Sequence, residues 1–124
     1  MGLFVLIGLG GFAGAVARYV LDARISAATG GALPWGTLAI NLSGSFAVGL
    51  LFALVVERAT LAPEWRGPLM IGFLGSYTTF STLALESWRM MEDGAWLAAA
   101  GNLLGSMVLG VAAVVAGVAL GRAI

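Results

Sequence analysis

Gly72-Phe73-Leu74-Gly75-Ser76-Tyr77-Thr78-Thr79-Phe80-Ser81-Thr82 is the stretch on which the fold turns. It lies between the apolar runs Pro68–Phe73 and Leu83–Leu85, where a membrane helix would ordinarily be plain hydrocarbon. Lipid offers no hydrogen bond to a loosened backbone or a free hydroxyl. A segment of this kind persists at membrane depth only where protein buries it or where it lines a polar path. A lone Ser or Thr would bond back to a carbonyl one turn earlier. Thr78, Thr79, Ser81 and Thr82 clustered with two glycines point instead to a polar pathway.

The rest of the chain is membrane protein by composition. Of 124 residues, 60% are hydrophobic and 10% charged, where a soluble domain carries about 25% charged residues. A spanning helix takes about 20 largely apolar residues. The length therefore accommodates four spans with short turns, over 3–21, 36–56, 67–88 and 95–121, and the whole chain reads as one all-α transmembrane domain. Ala15-Val16-Ala17 has the look of a signal-peptide cleavage site, but Met1–Gly11 carries no positive charge, so the first segment reads as a retained helix. Trp65, Trp88 and Trp96 sit beside charged residues in the turns, as interfacial anchors do.

Several chemistries are excluded on residue type. There is no Lys, His or Cys, hence no disulfide framework, no Cys/His metal cluster and no imidazole base for the many Ser and Thr. Gly8-Leu9-Gly10-Gly11-Phe12-Ala13 fits a loose dinucleotide fingerprint but has neither the preceding strand nor the acid that motif requires. Glu92-Asp93 is a solvated turn. Net charge is zero, so no basic patch addresses nucleic acid. The chain reads as no enzyme.

Orientation follows from arginines. On the side of the termini stand Arg58, Arg66 and Arg122, and on the other Arg18, Arg24 and Arg89. Positive charge in short loops normally sets topology, and this balance predicts insertion both ways up, which makes an antiparallel homodimer available. Gly10 and Gly14, Gly101 and Gly105, and Gly117 and Gly121 are each four apart, a spacing that lets helix backbones approach. The contacts they serve lie within one chain or between two copies.

Inside the spans the remaining polar groups are neutral. Asn41 and Ser45 share a face of span two, and Asn102 and Ser106 a face of span four. No charge lies at the centre of a span. Pumps and coupled transporters are usually marked by such charges, so the pattern indicates passive conduction. Amide and hydroxyl hydrogens solvate an anion without fixed charge, and a Phe ring edge such as that of Phe80 presents the positive end of its quadrupole.

With these residues in view, the chain resembles the Fluc fluoride-channel family over essentially its whole length. The resemblance is carried by Gly10-Gly11-Phe12-Ala13-Gly14-Ala15 with Arg18-Tyr19, by Gly36-Thr37-Leu38 with Asn41 and Gly44, and by Gly72-Phe73-Leu74-Gly75 with Thr78-Thr79-Phe80-Ser81-Thr82 and Glu86. It implies a multi-pass protein of the bacterial cytoplasmic (inner) membrane. It further implies an antiparallel, dual-topology homodimer, a third helix broken near mid-membrane, and two fluoride pathways built from both subunits. A structural sodium ion on the dimer axis would be held by backbone carbonyls of Gly75 and Thr78. The pathway would use Asn41, Phe80, Ser81, Thr82, Leu83 and Ser106, with Arg18 and Thr37 at the vestibule. Two positions depart from the family pattern: Leu83 stands where a second pore phenylalanine is usual, and Asn102 where a tyrosine is frequent. The implied activity is passive export of cytoplasmic fluoride, driven by about 2.3 kcal/mol per 100 mV of membrane potential.

A proton-coupled exporter of the small multidrug type is the alternative. It needs a carboxylate embedded in the first helix, and Leu3–Val20 contains none. Glu86, about a turn beyond the polar run, reads as an interfacial anchor of span three.

Overall fold

A computed structural model describes residues 2–124. Among them there is helix and turn but no strand. Four helical runs are long and apolar enough to cross a membrane: Gly2–Thr29, Trp35–Glu57, Pro63–Glu92 and Trp96–Ala123. Helix α1 is Gly2–Thr29 and α2 is Trp35–Leu51, extended by a wide π-helical turn over Phe52–Glu57. The third run opens with a 3₁₀ turn, Pro63–Trp65, and continues as π-helix over Arg66–Leu74. It then closes one α-helical turn, α3 (Gly75–Tyr77), and resumes as α4 (Phe80–Glu92). Helix α5 is Trp96–Ala123.

The first helix runs further than the 3–21 expected. The charged group at Arg18, Asp22 and Arg24 does not end it, because nothing between 18 and 29 breaks helical geometry and each of those side chains is compatible with a helix interior. The stop is Gly30-Gly31, whose φ values of 81° and 71° are reached without strain only by glycine.

Close backbone approach sets the packing, as lipid removes the hydrophobic drive between helices. A Cβ on Gly10 would collide with the Pro68 carbonyl, and one on Gly14 with the Phe73 carbonyl. These glycines seat α1 directly on the π-helical segment. Gly117 meets the Phe46 carbonyl and Gly121 the Ala53 side chain, which seats α5 on α2. Both pairs therefore serve contacts within the chain. Gly101 and Gly105 meet nothing within 4 Å and have no such intrachain role.

The buried centre is small. Ile40, Leu74 and Tyr77 form it, and the Tyr77 ring stacks on Phe73 with centroids 5.7 Å apart. Much of the apolar surface faces outward, including Phe4, Phe12, Leu97 and Val111, as befits a chain whose surroundings are hydrocarbon. Trp35, Trp65, Trp88 and Trp96 are exposed at the span ends. Beyond α2, Arg122 forms a bidentate pair with Glu57 at 2.7 and 2.8 Å. Arg58 donates to the carbonyls of Gly121 and Arg122, placing a cation at the negative end of α5.

Candidate functional site: the interrupted third span

The site is built on two residues that leave helical geometry. Thr78 has ψ 156°, and Thr79 has φ −149° and ψ 118°, so both are extended backbone inside an otherwise helical run. Gly44 of α2 lies against this interruption. A Cβ there would collide with the Thr78 methyl, so glycine brings α2 close enough for Asn41, three residues earlier on the same helix, to reach the main chain. The Asn41 side-chain oxygen accepts from the Thr79 N–H at 2.8 Å, and its Nδ2 donates to the Thr79 carbonyl at 3.0 Å. Helix α4 then restarts with Thr79 as its cap, the hydroxyl accepting from the Thr82 N–H at 3.2 Å. The same hydroxyl donates to Thr82 Oγ1 at 3.0 Å and lies 3.4 Å from Ser81 Oγ.

These bonds have a consequence for the carbonyls. In a continuous α-helix each C=O accepts from the N–H four residues on. The donors owed to Gly75 and Thr78 are the N–H groups of Thr79 and Thr82. Here those N–H groups turn to Asn41 Oδ1 and Thr79 Oγ1. The ladder is thus withdrawn from the two residues at which the family resemblance would place a sodium ion. Oxygen donors released in this way suit a hard cation, whose ligands are carbonyl oxygens rather than nitrogen or sulfur.

Two cavities flank the interruption. The larger, an open groove of about 560 Å³, is lined by Asn41, Gly75, Thr78, Phe80, Leu83 and Ser106 among others. The smaller, about 200 Å³, is lined by Arg18, Asp22, Thr37, Thr79 and Thr82 together with apolar neighbours. Of the residues singled out from sequence, six meet in the first cavity and Arg18, Thr37 and Thr82 in the second. Ser81 is exposed and lines neither, although it stays beside the Thr79 hydroxyl. Thr79 lines both cavities. Sequence reasoning placed it in the polar cluster without giving it a role of its own; the available signal was a threonine just ahead of a helical run, the residue type that caps helix starts.

The side chains differ in how they present themselves. Phe80 is 80% exposed, whereas Leu83 is 7% exposed and packs inside the chain even as it borders the groove. The Ser106 hydroxyl is buried and meets no hydrogen-bond partner in the chain. Asn102 does not join this group. It donates to Ser87 Oγ at 3.0 Å, and Ser87 in turn donates to the Leu83 carbonyl at 2.8 Å. Its cavity is a separate one, lined by Leu33, Trp35, Leu38 and Met90. Glu86 is half-buried; its Oε1 accepts from the Thr37 hydroxyl at 2.7 Å and its Oε2 is buried without a partner in the chain. It ties α4 to α2.

Four apolar helical runs, the third of them interrupted and hydroxyl-bearing, define a multi-pass integral membrane protein. A family model described as CrcB-like protein, Camphor Resistance (CrcB), matches residues 5–118, and the chain belongs to that family. It is 48% identical over 120 residues to the fluoride-specific ion channel FluC of Hahella chejuensis, covering 97% of this chain and 94% of the relative. It is 49% identical over 119 residues to the protein of the same name from Magnetococcus marinus, covering 95% and 96%. For the Solibacter usitatus protein, also named fluoride-specific ion channel FluC, identity is 44% with 96% and 98% covered. The resemblance read from Gly72–Gly75 and Thr78–Thr82 holds at the level of the family.

Proposed function

We propose that this protein is a passive, fluoride-selective channel of the bacterial cytoplasmic membrane that lets cytoplasmic fluoride leave the cell. The observation that carries this reading is the interruption at Thr78–Thr79, opening on a groove where neutral donors gather: Asn41, the partnerless buried hydroxyl of Ser106, and the outward ring of Phe80. The names of the relatives supply the ion. Fluoride is small and strongly hydrated, so a path for it replaces water with hydrogen-bond donors. A buried hydroxyl left unsatisfied costs about 1–3 kcal/mol, and an anion passing Ser106 would satisfy it.

In this reading Arg18 and Thr37 receive the ion at a vestibule. Ser81, Thr82, Asn41 and Ser106 offer N–H and O–H donors along the way, and Phe80 offers a ring edge. Leu83 borders the path as hydrocarbon only. In this reading the functional unit is an antiparallel homodimer; the open groove, with Phe80 standing 80% exposed at its rim, supports a second copy closing it. Its interrupted third span then lies near mid-membrane on the dimer axis. The carbonyls of Gly75 and Thr78, deprived of their helical donors, are the residues that would hold a structural sodium ion there. Its charge would make the local potential favourable to an anion. The first acid of α1 is Asp22, set against Gly36 where α2 begins, so the proton-coupled exporter gains no support.

The test is fluoride efflux from liposomes containing the purified protein, with valinomycin to collapse the opposing potential and a matched chloride experiment. Fast fluoride release with negligible chloride release is expected. No fluoride release from folded protein would overturn the reading.

A further inference from the structure

The Asn41 side chain does more than line a groove. Its carboxamide oxygen and nitrogen both bond to one residue, at 2.8 Å to the Thr79 N–H and 3.0 Å to the Thr79 carbonyl. That is the two-bond ring exchanged by facing residues in an antiparallel ladder, with a side chain in place of the second strand. Thr79 has the matching extended dihedrals. The orientation of the amide is fixed by its partners, since a main-chain N–H demands the oxygen and a carbonyl demands the nitrogen. The amide supplies a donor and an acceptor in one plane; an ionised carboxylate supplies acceptors alone. One Nδ2 hydrogen remains for anything in the groove.

We infer that Asn41 is a positioning residue: its amide, acting with the Thr79 hydroxyl, holds the third span open and thereby frees the Gly75 and Thr78 carbonyls. Without the clasp, the Thr79 N–H has a ready acceptor in Gly75 and the Thr82 N–H one in Thr78, four residues back in each case. The helix would close through the interruption and take those carbonyls with it. Asn41 and Thr79 are 38 residues apart in sequence, so the clasp also locks α2 to the junction between α3 and α4. Where it concerns sodium, the inference rests on the proposed function.

The test reads the clasp directly. Hydrogen exchange at the Thr79 amide is followed by NMR in detergent micelles for the wild type, Asn41→Ala, Thr79→Val and Ser106→Ala. In parallel, the sodium concentration giving the half-maximal rise in Tm is measured. Asn41→Ala is expected to change Thr79 exchange at least tenfold while amides of α1 and α5 hold their rates, and to raise the sodium midpoint about tenfold. Thr79→Val, which keeps the shape but loses the cap, should do the same at the Thr82 amide. Ser106→Ala, in the same groove but without a bond to the interruption, should move neither. Unchanged Thr79 exchange in Asn41→Ala overturns the inference, as does lost fluoride flux with an unmoved sodium midpoint, which would make Asn41 purely an ion contact. If Asn41→Ala does not fold, Asn41→Leu replaces it; the side chain keeps about the same size and loses both donor and acceptor, and an unaltered sodium midpoint there overturns the inference equally. A wild type with no sodium response ends the sodium reading but leaves the clasp to be judged by exchange. A wild type that passes no fluoride ends the proposed function and leaves both readouts valid.

Discussion

The Thr37 hydroxyl donates to Glu86 Oε1 at 2.7 Å across 49 residues of sequence, joining the first turn of α2 to the middle of α4. Thr37 is buried and the second Glu86 oxygen has no partner in the chain. The pair therefore holds a carboxylate inside a span with half of its hydrogen-bonding capacity in use. Thr37→Val removes that bond without changing shape and is expected to cost about 1–3 kcal/mol, the range for leaving a buried polar group unsatisfied. Thr37→Ser should recover most of it. Unfolding of both variants in detergent checks this, and a Thr37→Val protein as stable as wild type would show the contact to be idle.

Phe80 stands outside the packed centre of the chain. Phe80→Ile should leave the protomer folded and still self-associating, as nothing inside the chain leans on the ring, while sharply reducing fluoride efflux. Size-exclusion chromatography and liposome efflux on one preparation decide it. Normal flux would remove the ring from the pathway.

Leu83 is a different case. The family resemblance would put a phenylalanine there, yet Leu83 is 7% exposed and packs inside the chain. Leu83→Phe is expected to overpack at a cost of about 1–3 kcal/mol, lowering the Tm. An unchanged Tm would mean that the ring swings into the groove, and fluoride efflux should then rise.

The glycine pairs separate cleanly by what surrounds them. Gly14→Ala and Gly117→Ala drive a methyl into the Phe73 and Phe46 carbonyls, and loss of folded protein is the expected result. Gly101→Ala meets open space within the chain and should gain up to about 1 kcal/mol from helix propensity. Melting curves for the three variants suffice. Destabilisation by Gly101→Ala would place a neighbouring protomer against that face.

Asn102→Ala takes away the donor to Ser87 Oγ. Ser87 keeps its own bond to the Leu83 carbonyl, so the expected loss is small, about 0.5–1.5 kcal/mol, with fluoride efflux per folded protein unchanged. A large fall in efflux at normal stability would bring Asn102 into the pathway.

Four helical runs able to span a membrane were legible in the sequence, because passage into hydrocarbon depends on apolar residues that are contiguous along the chain. The polar stretch at 72–82 was legible for the same reason, as an exception to that rule. The end of α1 was not, since charged residues at 18–24 mimic an interface while remaining compatible with a helix interior, and Gly30-Gly31 stops the backbone.

The partners of the polar groups were decided by tertiary structure. Asn41, Ser106 and Asn102 look alike in sequence, being polar residues on apolar helices. Packing gave the first to the Thr79 main chain, left the second without a partner, and sent the third to Ser87 on the far side. Hydrogen bonds act over about 3 Å, and which groups come that close depends on how Gly44 lets α2 approach the interrupted span. The run of residues along the chain determined that a polar gap must exist; the approach of a second helix determined what holds it open.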